Sequence, residues 1–272
     1  MSDEVKEEPK LWFLDALGAM IGGKATPTGR IVSDFSTEVF GGDVATVVLT
    51  GQSSAAGAAL ANGYMANALD IDDGGKYTRG HTGAQIVPAA LALGEEYART
   101  GKDVLTAIAL GYETAHRIGR CWHEVNEEYR SCGSWGSVVC AGLAGRLRAL
   151  TEQELKHAVG IADYNSPHLP MMRAIEVPSM VKHGTGWGAM TGIIAAEWAA
   201  RGFSASGTSL DNNSCRGWFD DIGDRYIMAE EDAVEFKNIP SCSWGHPPIK
   251  AVIDIMEIND INKNDISQRK VS

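Results

Sequence analysis

Several features of specialised proteins are missing from this sequence. No apolar run reaches the roughly 18 residues that a membrane-spanning helix needs, and the charged start MSDEVKEEPK lacks the apolar core of a secretory signal. Proline is scarce, at 9 residues, so the 31 glycines do not belong to a low-complexity tract. We therefore expect a soluble, cytoplasmic protein in which small residues allow close helix packing or line a site.

Cysteine pairs of the C-x-x-C type are also missing. The chain has 5 cysteines, an odd number, and their spacing matches no common zinc site. The sequence therefore predicts neither a disulfide framework nor a structural zinc site, and it favours a reducing compartment. The cysteines are Cys121, Cys132, Cys140, Cys215 and Cys242.

Positively charged residues are fewer than negatively charged ones. Lys and Arg total 24 against 35 Asp and Glu, which gives a formal net charge of −11. Nucleic acids and anionic membranes both favour basic surfaces, so neither is expected as a partner. A small anionic substrate remains compatible with this charge, because such a ligand responds to the charges of its own pocket. The 272 residues suffice for one large domain or two small ones.

Helical periodicity dominates what is present. Residues 10–21 carry apolar side chains at steps of three and four, ended by two glycines. Thr151 and Glu154 predict a capping box before another helix. Residues 44–49 form the best candidate strand, and since no β-α-β alternation follows, the sequence predicts a mainly α fold. The other predicted helices are 54–69, 86–99, 103–119, 135–149, 152–162, 185–200 and 247–258.

Three clusters of residues could carry chemistry. In the first, three carboxylates at a predicted helix end (Asp70, Asp72 and Asp73) precede a glycine-rich loop with His81. Carboxylates at a helix C-terminus cost about 0.3–1 kcal/mol each, so a nearby cation or a raised carboxyl pKa would explain them. A solvated acidic turn and a weak metal site are the alternatives at this stage.

The second and third clusters add cations. Lys182 and His183 precede the glycines of Gly184-Thr-Gly186, which resemble a dinucleotide fingerprint but follow no apolar strand. We therefore interpret that turn as a place where a helix start meets another backbone or an anionic ligand. In the third cluster, Lys237 precedes His246, which two prolines restrict. A surface pair and an interdomain turn are the simpler alternatives for these clusters.

In this order, the clusters make the chain resemble the MmgE/PrpD family, which includes 2-methylcitrate dehydratase, cis-aconitate decarboxylase and iminodisuccinate epimerase. No single motif is decisive, and the ordered set covers about residues 10 to 256. The matching segments are Phe13-Leu-Asp-Ala-Leu-Gly, Gly41-Gly-Asp-Val-Ala-Thr-Val, Ala59-Leu-Ala-Asn-Gly, Leu69-Asp-Ile-Asp-Asp, His81-Thr-Gly, Val87-Pro-Ala-Ala-Leu-Ala-Leu-Gly-Glu, Ala109-Leu-Gly-Tyr-Glu, Lys182-His-Gly, Ala200-Arg-Gly-Phe and Lys237 through Pro240-Ser-Cys to His246.

The resemblance implies a large all-helical domain, here residues 1–235, followed by the start of an α+β lid domain with a polar tail, here residues 236–272. It also implies an active site between the two domains, a homodimer, and cofactor-free and metal-free chemistry on small di- or tricarboxylic acids. By position, the catalytic residues would be Asp73, His81 and His246. Lys182 and, more weakly, Lys237 would bind a substrate carboxylate.

Two departures from the family pattern affect this expectation. Arg130 stands where the family typically carries a histidine. An arginine stays protonated and can grip a carboxylate in a bidentate fork, but it cannot act as an acid-base group near neutrality. Arg130 therefore joins the expected substrate-binding residues. The chain also stops just after the first lid helix.

The leading hypothesis is a lyase (dehydratase- or decarboxylase-like) or an isomerase that removes a proton α to a carboxylate. In the first alternative, the chain is a truncated or split-gene product that dimerises without catalysis unless a separate chain supplies the lid. In the second, it is a helical module that binds an anionic metabolite in the same pocket.

Overall fold

The computed structural model describes residues 3–265, so the end of the predicted polar tail lies outside the described residues. The fold is mainly α, as predicted. Ten α-helices follow one another in the described chain: α1 (Asp3–Lys24), α2 (Pro27–Phe35), α3 (Ala55–Asn67), α4 (Gly83–Glu96), α5 (Gly101–Val125), α6 (Cys132–Arg148), α7 (Glu152–Tyr164), α8 (Met171–Glu176), α9 (Thr185–Ala199) and α10 (His246–Ile258).

Two small antiparallel ladders are the sheet structure of the described residues. β1 (Ala45–Val47) pairs with β2 (Gly51–Ser53), so the strand expected at 44–49 exists as one arm of a hairpin. β3 (Gly74–Gly75) pairs with β4 (Val234–Glu235), with Gly74 opposite Glu235. This second ladder joins the loop after α3 to the segment that leads to Lys237.

Local sequence signals set several helix starts. The Thr151 hydroxyl accepts a hydrogen bond from the Glu154 amide at 3.3 Å, and the Glu154 carboxylate accepts one from the Thr151 amide at 2.8 Å. This reciprocal pair confirms the predicted capping box at α7. Thr100 and Asp103 form the same arrangement at the start of α5.

The periodicity of α1 predicts the helix but not its buried face. Leu11, Leu14 and Ile21 are exposed, whereas Trp12 and Met20 lie in the core. Trp12 stacks on Tyr112 of α5, with ring centroids 4.1 Å apart, and this contact fixes the rotation of α1. Since many buried positions of this protein are alanines, large apolar side chains are a poor guide to its core.

Close approach of α3, α6 and α9 forms the centre of the fold. A Cβ atom added at Gly63 of α3 would lie 2.7 Å from the Cα of Gly186 in α9. One added at Gly192 of α9 would lie 2.5 Å from the Cβ of Cys140 in α6. Glycine thus permits helix contacts that an added methyl group would block, which is one of the two uses expected for the glycine-rich composition.

A long irregular segment, residues 202–235, packs across α5. A disulfide joins Cys121 of α5 to Cys215, while Cys132, Cys140 and Cys242 are free. The prediction of a chain without disulfide pairing was therefore wrong for this pair, and the cysteines do not favour a reducing compartment. The reason is tertiary, because the two residues are 94 positions apart and meet only when the segment packs.

Arg117 is the second anchor of this segment. Its guanidinium bonds the Glu113 carboxylate at 2.7 Å, the Asp221 carboxylate at 2.5 Å and the carbonyl oxygens of Trp218 and Arg225. We call Glu113, Arg117 and Asp221 the Arg117 group. The Arg117 side chain is fully buried and each of its three nitrogens donates to an oxygen of the chain.

The helices α8 and α10 contrast with the central helices, because none of their residues is buried. Among residues 3–265, no helix combines the length and the apolar character that crossing a bilayer requires.

Candidate active site

The candidate site lies where three loops meet. Asp70 and His81 lie in the loop between α3 and α4, and Lys182 and His183 precede α9. Lys237 follows β4, which the ladder with β3 holds against the first of these loops. We call Asp70, His81, Lys182, His183 and Lys237 the Asp70 cluster.

Asp70 is the centre of the cluster. The Lys237 ammonium lies 2.5 Å from its Oδ1 and 3.2 Å from its carbonyl oxygen. The Lys182 ammonium lies 3.6 Å from its Oδ2, and His81 Nε2 lies 3.6 Å from its Oδ1. Burial alone would raise the pKa of Asp70, but His81 and the two ammonium groups outweigh it and hold that pKa well below its usual range. The carboxylate is therefore ionised and serves as a counter-ion to cations.

The backbone at this centre is strained. Asp70 has a φ of 57° and Lys182 a φ of 46°, both in the left-handed region that non-glycine residues seldom adopt. Such residues cost on the order of 1–2 kcal/mol each. Since the two strained residues face each other across an ion pair, packing and charge hold them in place, as is common at functional sites.

A second carboxylate supports His81. Asp72, which is fully buried, places Oδ2 at 2.8 Å from His81 Nδ1, and the contact is an ion pair rather than an aligned hydrogen bond. The Asn67 amide donates to the two oxygens of Asp72 at 3.1 and 3.3 Å. Asn67 thus positions Asp72, and Asp72 in turn positions the imidazole of His81 with Nε2 toward Asp70.

His183 is the second imidazole of the cluster. Its ring lies 4.2 Å from that of His81, centroid to centroid. Its Nδ1 lies 3.1 Å from the Ser131 hydroxyl oxygen. Burial, followed by repulsion from His81, lowers the pKa of His183 well below its usual value. The neutral imidazole is therefore the stable form near neutral pH.

Asp73 faces away from the cluster. It is fully buried and accepts hydrogen bonds from the Tyr112 hydroxyl at 2.8 Å and from the Gly83 amide at 2.9 Å. Burial, with the nearby charge of Asp72, raises the pKa of Asp73 to about 7. Asp15 accepts from the Asp73 amide, and burial raises its pKa to about 6. Asp73 thus belongs to a buried acidic layer behind the cluster.

The other two predicted site residues lie nearby without joining the cluster. Arg130 bridges to Pro170 through its backbone, and its Nε lies 3.9 Å from the Glu128 carboxylate. His246 Nε2 lies 3.1 Å from the Ser241 carbonyl oxygen, and its Nδ1 lies 3.7 Å from Glu235. Within the described chain, neither side chain makes a hydrogen bond or ion pair with the Asp70 cluster.

The cluster has the residue types of a cation site but not its charge balance. Asp70, His81 and His183 hold potential ligand atoms within 4.8 Å of one another. However, an ammonium group already pairs with each oxygen of Asp70. Two fixed cations beside the carboxylate repel a metal ion and attract an anion, so the arrangement fits an anionic ligand better.

Sequence reasoning thus selected three of the five cluster residues, His81, Lys182 and Lys237, and missed Asp70 and His183. Asp70 was visible as one of three neighbouring carboxylates, but the choice among them depends on its left-handed backbone. His183 stands next to a selected lysine, and no spacing rule distinguishes it from a surface histidine.

These features define a helical domain whose loops gather two ammonium groups and two imidazoles around one carboxylate. Residues 1–225 match the family described as the MmgE/PrpD N-terminal domain, and the chain belongs to that family. It is 23% identical over 214 residues to the cis-aconitate decarboxylase-like protein oryM of Aspergillus oryzae, which covers 74% of this chain and 43% of that protein. It is 27% identical over 156 residues to the cis-aconitate decarboxylase of Aspergillus terreus, covering 54% of this chain and 31% of that protein. The chain therefore spans less than half the length of these relatives.

Proposed function

We propose that this protein is a cofactor-independent lyase or isomerase that acts on a small di- or tricarboxylic acid by removing a proton α to a carboxylate. The observation that carries the proposal is the convergence of Lys182, Lys237, His81 and His183 on Asp70. Membership of a family with cis-aconitate decarboxylases among the relatives supports the reaction class.

The ammonium groups are suited to the charge that this reaction creates. Removal of an α-proton moves an electron pair into the carboxylate, which becomes an enediolate with additional negative charge. Lys182 and Lys237 bind the substrate carboxylates and stabilise this charge, while Asp70 keeps the two cations positioned before the substrate arrives. The imidazoles lie beside them and transfer protons, which general acid-base catalysis requires.

Three predicted residues keep smaller roles in the proposal. Arg130 binds a distal carboxylate of a larger substrate, and His246 approaches the substrate from the lid side. Asp73, which faces away from the cluster, acts indirectly, through the buried acidic layer that supports Asp72. The protein works as a homodimer in this proposal, and the part of the relatives that this chain does not cover closes the site, from the same or a separate chain.

The second candidate function is an anion-binding module without catalysis. The observation in its favour is that Asp70 already pairs with both lysines, so that a bound acid could exchange with this contact without reacting. A non-catalytic, dimerising part of a split protein belongs to the same alternative.

Proton exchange distinguishes these functions. The purified chain is incubated in deuterated buffer with a panel of di- and tricarboxylic acids, and loss of each α-proton signal is followed by NMR. We expect exchange of at least one acid, abolished in Lys182→Met and retained in Lys156→Met, a surface variant on α7. If several acids raise the melting temperature and none exchanges, the binding module is the better description. Exchange that requires a separate lid chain would support the split-protein alternative.

A further inference from the structure

The two imidazoles of the Asp70 cluster have different polar neighbours. His81 has a carboxylate oxygen beside each ring nitrogen, Asp72 at Nδ1 and Asp70 at Nε2. His183 has a hydroxyl group, that of Ser131, at Nδ1. An imidazolium at His81 therefore has negative charge on both sides, whereas His183 has a neutral partner.

The Ser131 hydroxyl fixes the tautomer of His183. It lies 3.0 Å from the His183 carbonyl oxygen, and a carbonyl oxygen can only accept a hydrogen bond. The single proton of the hydroxyl is therefore donated to that carbonyl. The hydroxyl oxygen must then accept from Nδ1–H of His183, so that Nε2 of the neutral ring carries the lone pair.

We infer that His183 is the general base of the proposed reaction, that Ser131 is its positioning residue, and that His81, oriented by Asp72, is the general acid. This inference rests on the proposed function and adds a direction to its proton transfers. It follows from the groups beside both ring nitrogens of His81 and beside Nδ1 of His183. The charged groups around His183 are Asp70, His81, Lys182 and Lys237. Burial, followed by repulsion from His81 and the two lysines, outweighs the attraction of Asp70 and keeps the imidazole of His183 neutral.

The proton transfers balance as follows. Nε2 of His183 takes the α-proton, the C–H electron pair moves into the enediolate, and His183 becomes an imidazolium. His81 gives up the proton on its Nε2. In an elimination that proton leaves with the substrate hydroxyl as water, and in an isomerisation it is delivered to carbon. His183 then loses its proton to solvent, and His81 regains one.

The tautomer can be tested without any activity. Histidine labelled with ¹⁵N is incorporated into the full chain, and the two ring nitrogens are assigned through the loss of signals in His183→Gln. We expect His183 to be neutral with its proton on Nδ1 from pH 6 to 8. Ser131→Ala should release the ring into a mixture of tautomers, and Ser131→Thr should restore the Nδ1–H form. A protonated His183, or an Nε2–H tautomer in the unmodified chain, would overturn the inference.

Kinetics test the role as base. We expect His183→Gln to lower the exchange rate of a responsive acid by about 10²- to 10⁴-fold, mainly in kcat, because it removes a general base. His168→Gln, an exposed histidine paired with Glu128, is the matched control and should leave the rate unchanged. Circular dichroism melting of each variant checks that it folds.

Exchange by the unmodified chain and exchange by His183→Gln together distinguish a wrong base assignment from a wrong proposed function. If an acid exchanges and His183→Gln retains the rate, the assignment of the base is wrong while the proposed function stands. If no acid exchanges with the unmodified chain, either alone or with a separate lid chain, the proposed function is wrong, and the base assignment is wrong with it. A loss of rate in His183→Gln and in Ser131→Ala, rescued by Ser131→Thr, supports both.

Discussion

The Asp70 cluster and the Arg117 group differ in how fully their buried charges are compensated. Every nitrogen of the Arg117 guanidinium donates to an oxygen of the chain, so its charge is fully compensated. In the Asp70 cluster, two ammonium groups and two imidazoles share a single central carboxylate, and Lys182 reaches it only at 3.6 Å. The first arrangement closes a contact between two parts of the fold. The second leaves cationic groups that a further anion can satisfy.

The largest expected effect is on stability, from Arg117→Met. This variant removes the cation beside the buried Glu113 and the closer of the two cations beside Asp221, which keeps Arg225 at 3.8 Å. Breaking a buried ion pair in this way costs about 3–5 kcal/mol. Urea denaturation measures the loss in free energy of unfolding. Lys156→Met, at an exposed pair on α7, is the control. A loss below about 1 kcal/mol would show that the Arg117 group does not hold residues 202–235 in place.

Lys237→Met should act on function instead. Its side chain is almost completely buried against Asp70, and its removal takes away one of two cations available to the enediolate. By comparison with other groups that stabilise a developing oxyanion, we expect the exchange rate to fall about 10²- to 10³-fold. The control is Lys250→Met, an exposed lysine of α10. A rate within threefold of the unmodified chain would remove Lys237 from the site.

The third variant, Asp73→Asn, tests the buried acidic layer of Asp15 and Asp73 behind the Asp70 cluster. The pKa of Asp73 is about 7 in the folded chain, above the ordinary value of 3.8. Its contribution to stability is therefore full below about pH 4 and is lost as pH rises through 7. Because the two pKa values differ by about 3 and each unit corresponds to about 1.4 kcal/mol, the lost stability is up to about 4 kcal/mol.

The measurement is urea denaturation between pH 4 and pH 8. The asparagine variant should lack most of the decline, whereas Asp254→Asn on α10 should keep it. Equal pH dependence of the Asp73 variant and the unmodified chain would mean that Asp73 is ionised in the folded protein.

The smallest effect is expected for the Lys250–Asp254 pair, which shares the ion-pair chemistry but lies at the surface. Exposed pairs at this helical spacing contribute about 0.3–0.5 kcal/mol. Lys250→Met should therefore shift the free energy of unfolding by no more than this, in urea denaturation at low salt. A loss above about 1 kcal/mol would contradict the view that burial distinguishes the Arg117 group and the Asp70 cluster from this surface pair.

The sequence predicted the helices better than it predicted what they bury. Periodicity located α1, but Leu11 and Leu14, two of its regularly spaced apolar residues, are exposed, while Trp12 is in the core. The rotation of α1 depends on Trp12 stacking against Tyr112, a contact between residues 100 positions apart that no local pattern reveals. The capping box at α7 was predictable because all of its atoms lie within four residues.

The same distinction applies to the site. Lys182, Lys237 and His81 were found through ordered motifs, which carry information from the whole family. The sequence could not show which of the neighbouring carboxylates lies among the lysines, since a φ of 57° at Asp70 decides which one turns toward them. The Cys121–Cys215 bond was missed for a similar reason, because only the packing of residues 202–235 brings its two ends together.

The close contact between α3 and α9 has a consequence for how this chain can change over generations. At Gly63 and Gly186 a methyl group on either side would strike the backbone opposite, so neither helix can accept a larger residue unless the other moves. Gly142 and Gly217 have open space around them and can vary freely. Over evolutionary time, we therefore expect descendants of this protein to retain Gly63 and Gly186. The outer glycines, Gly142 and Gly217, and much of the surface should be replaced in them.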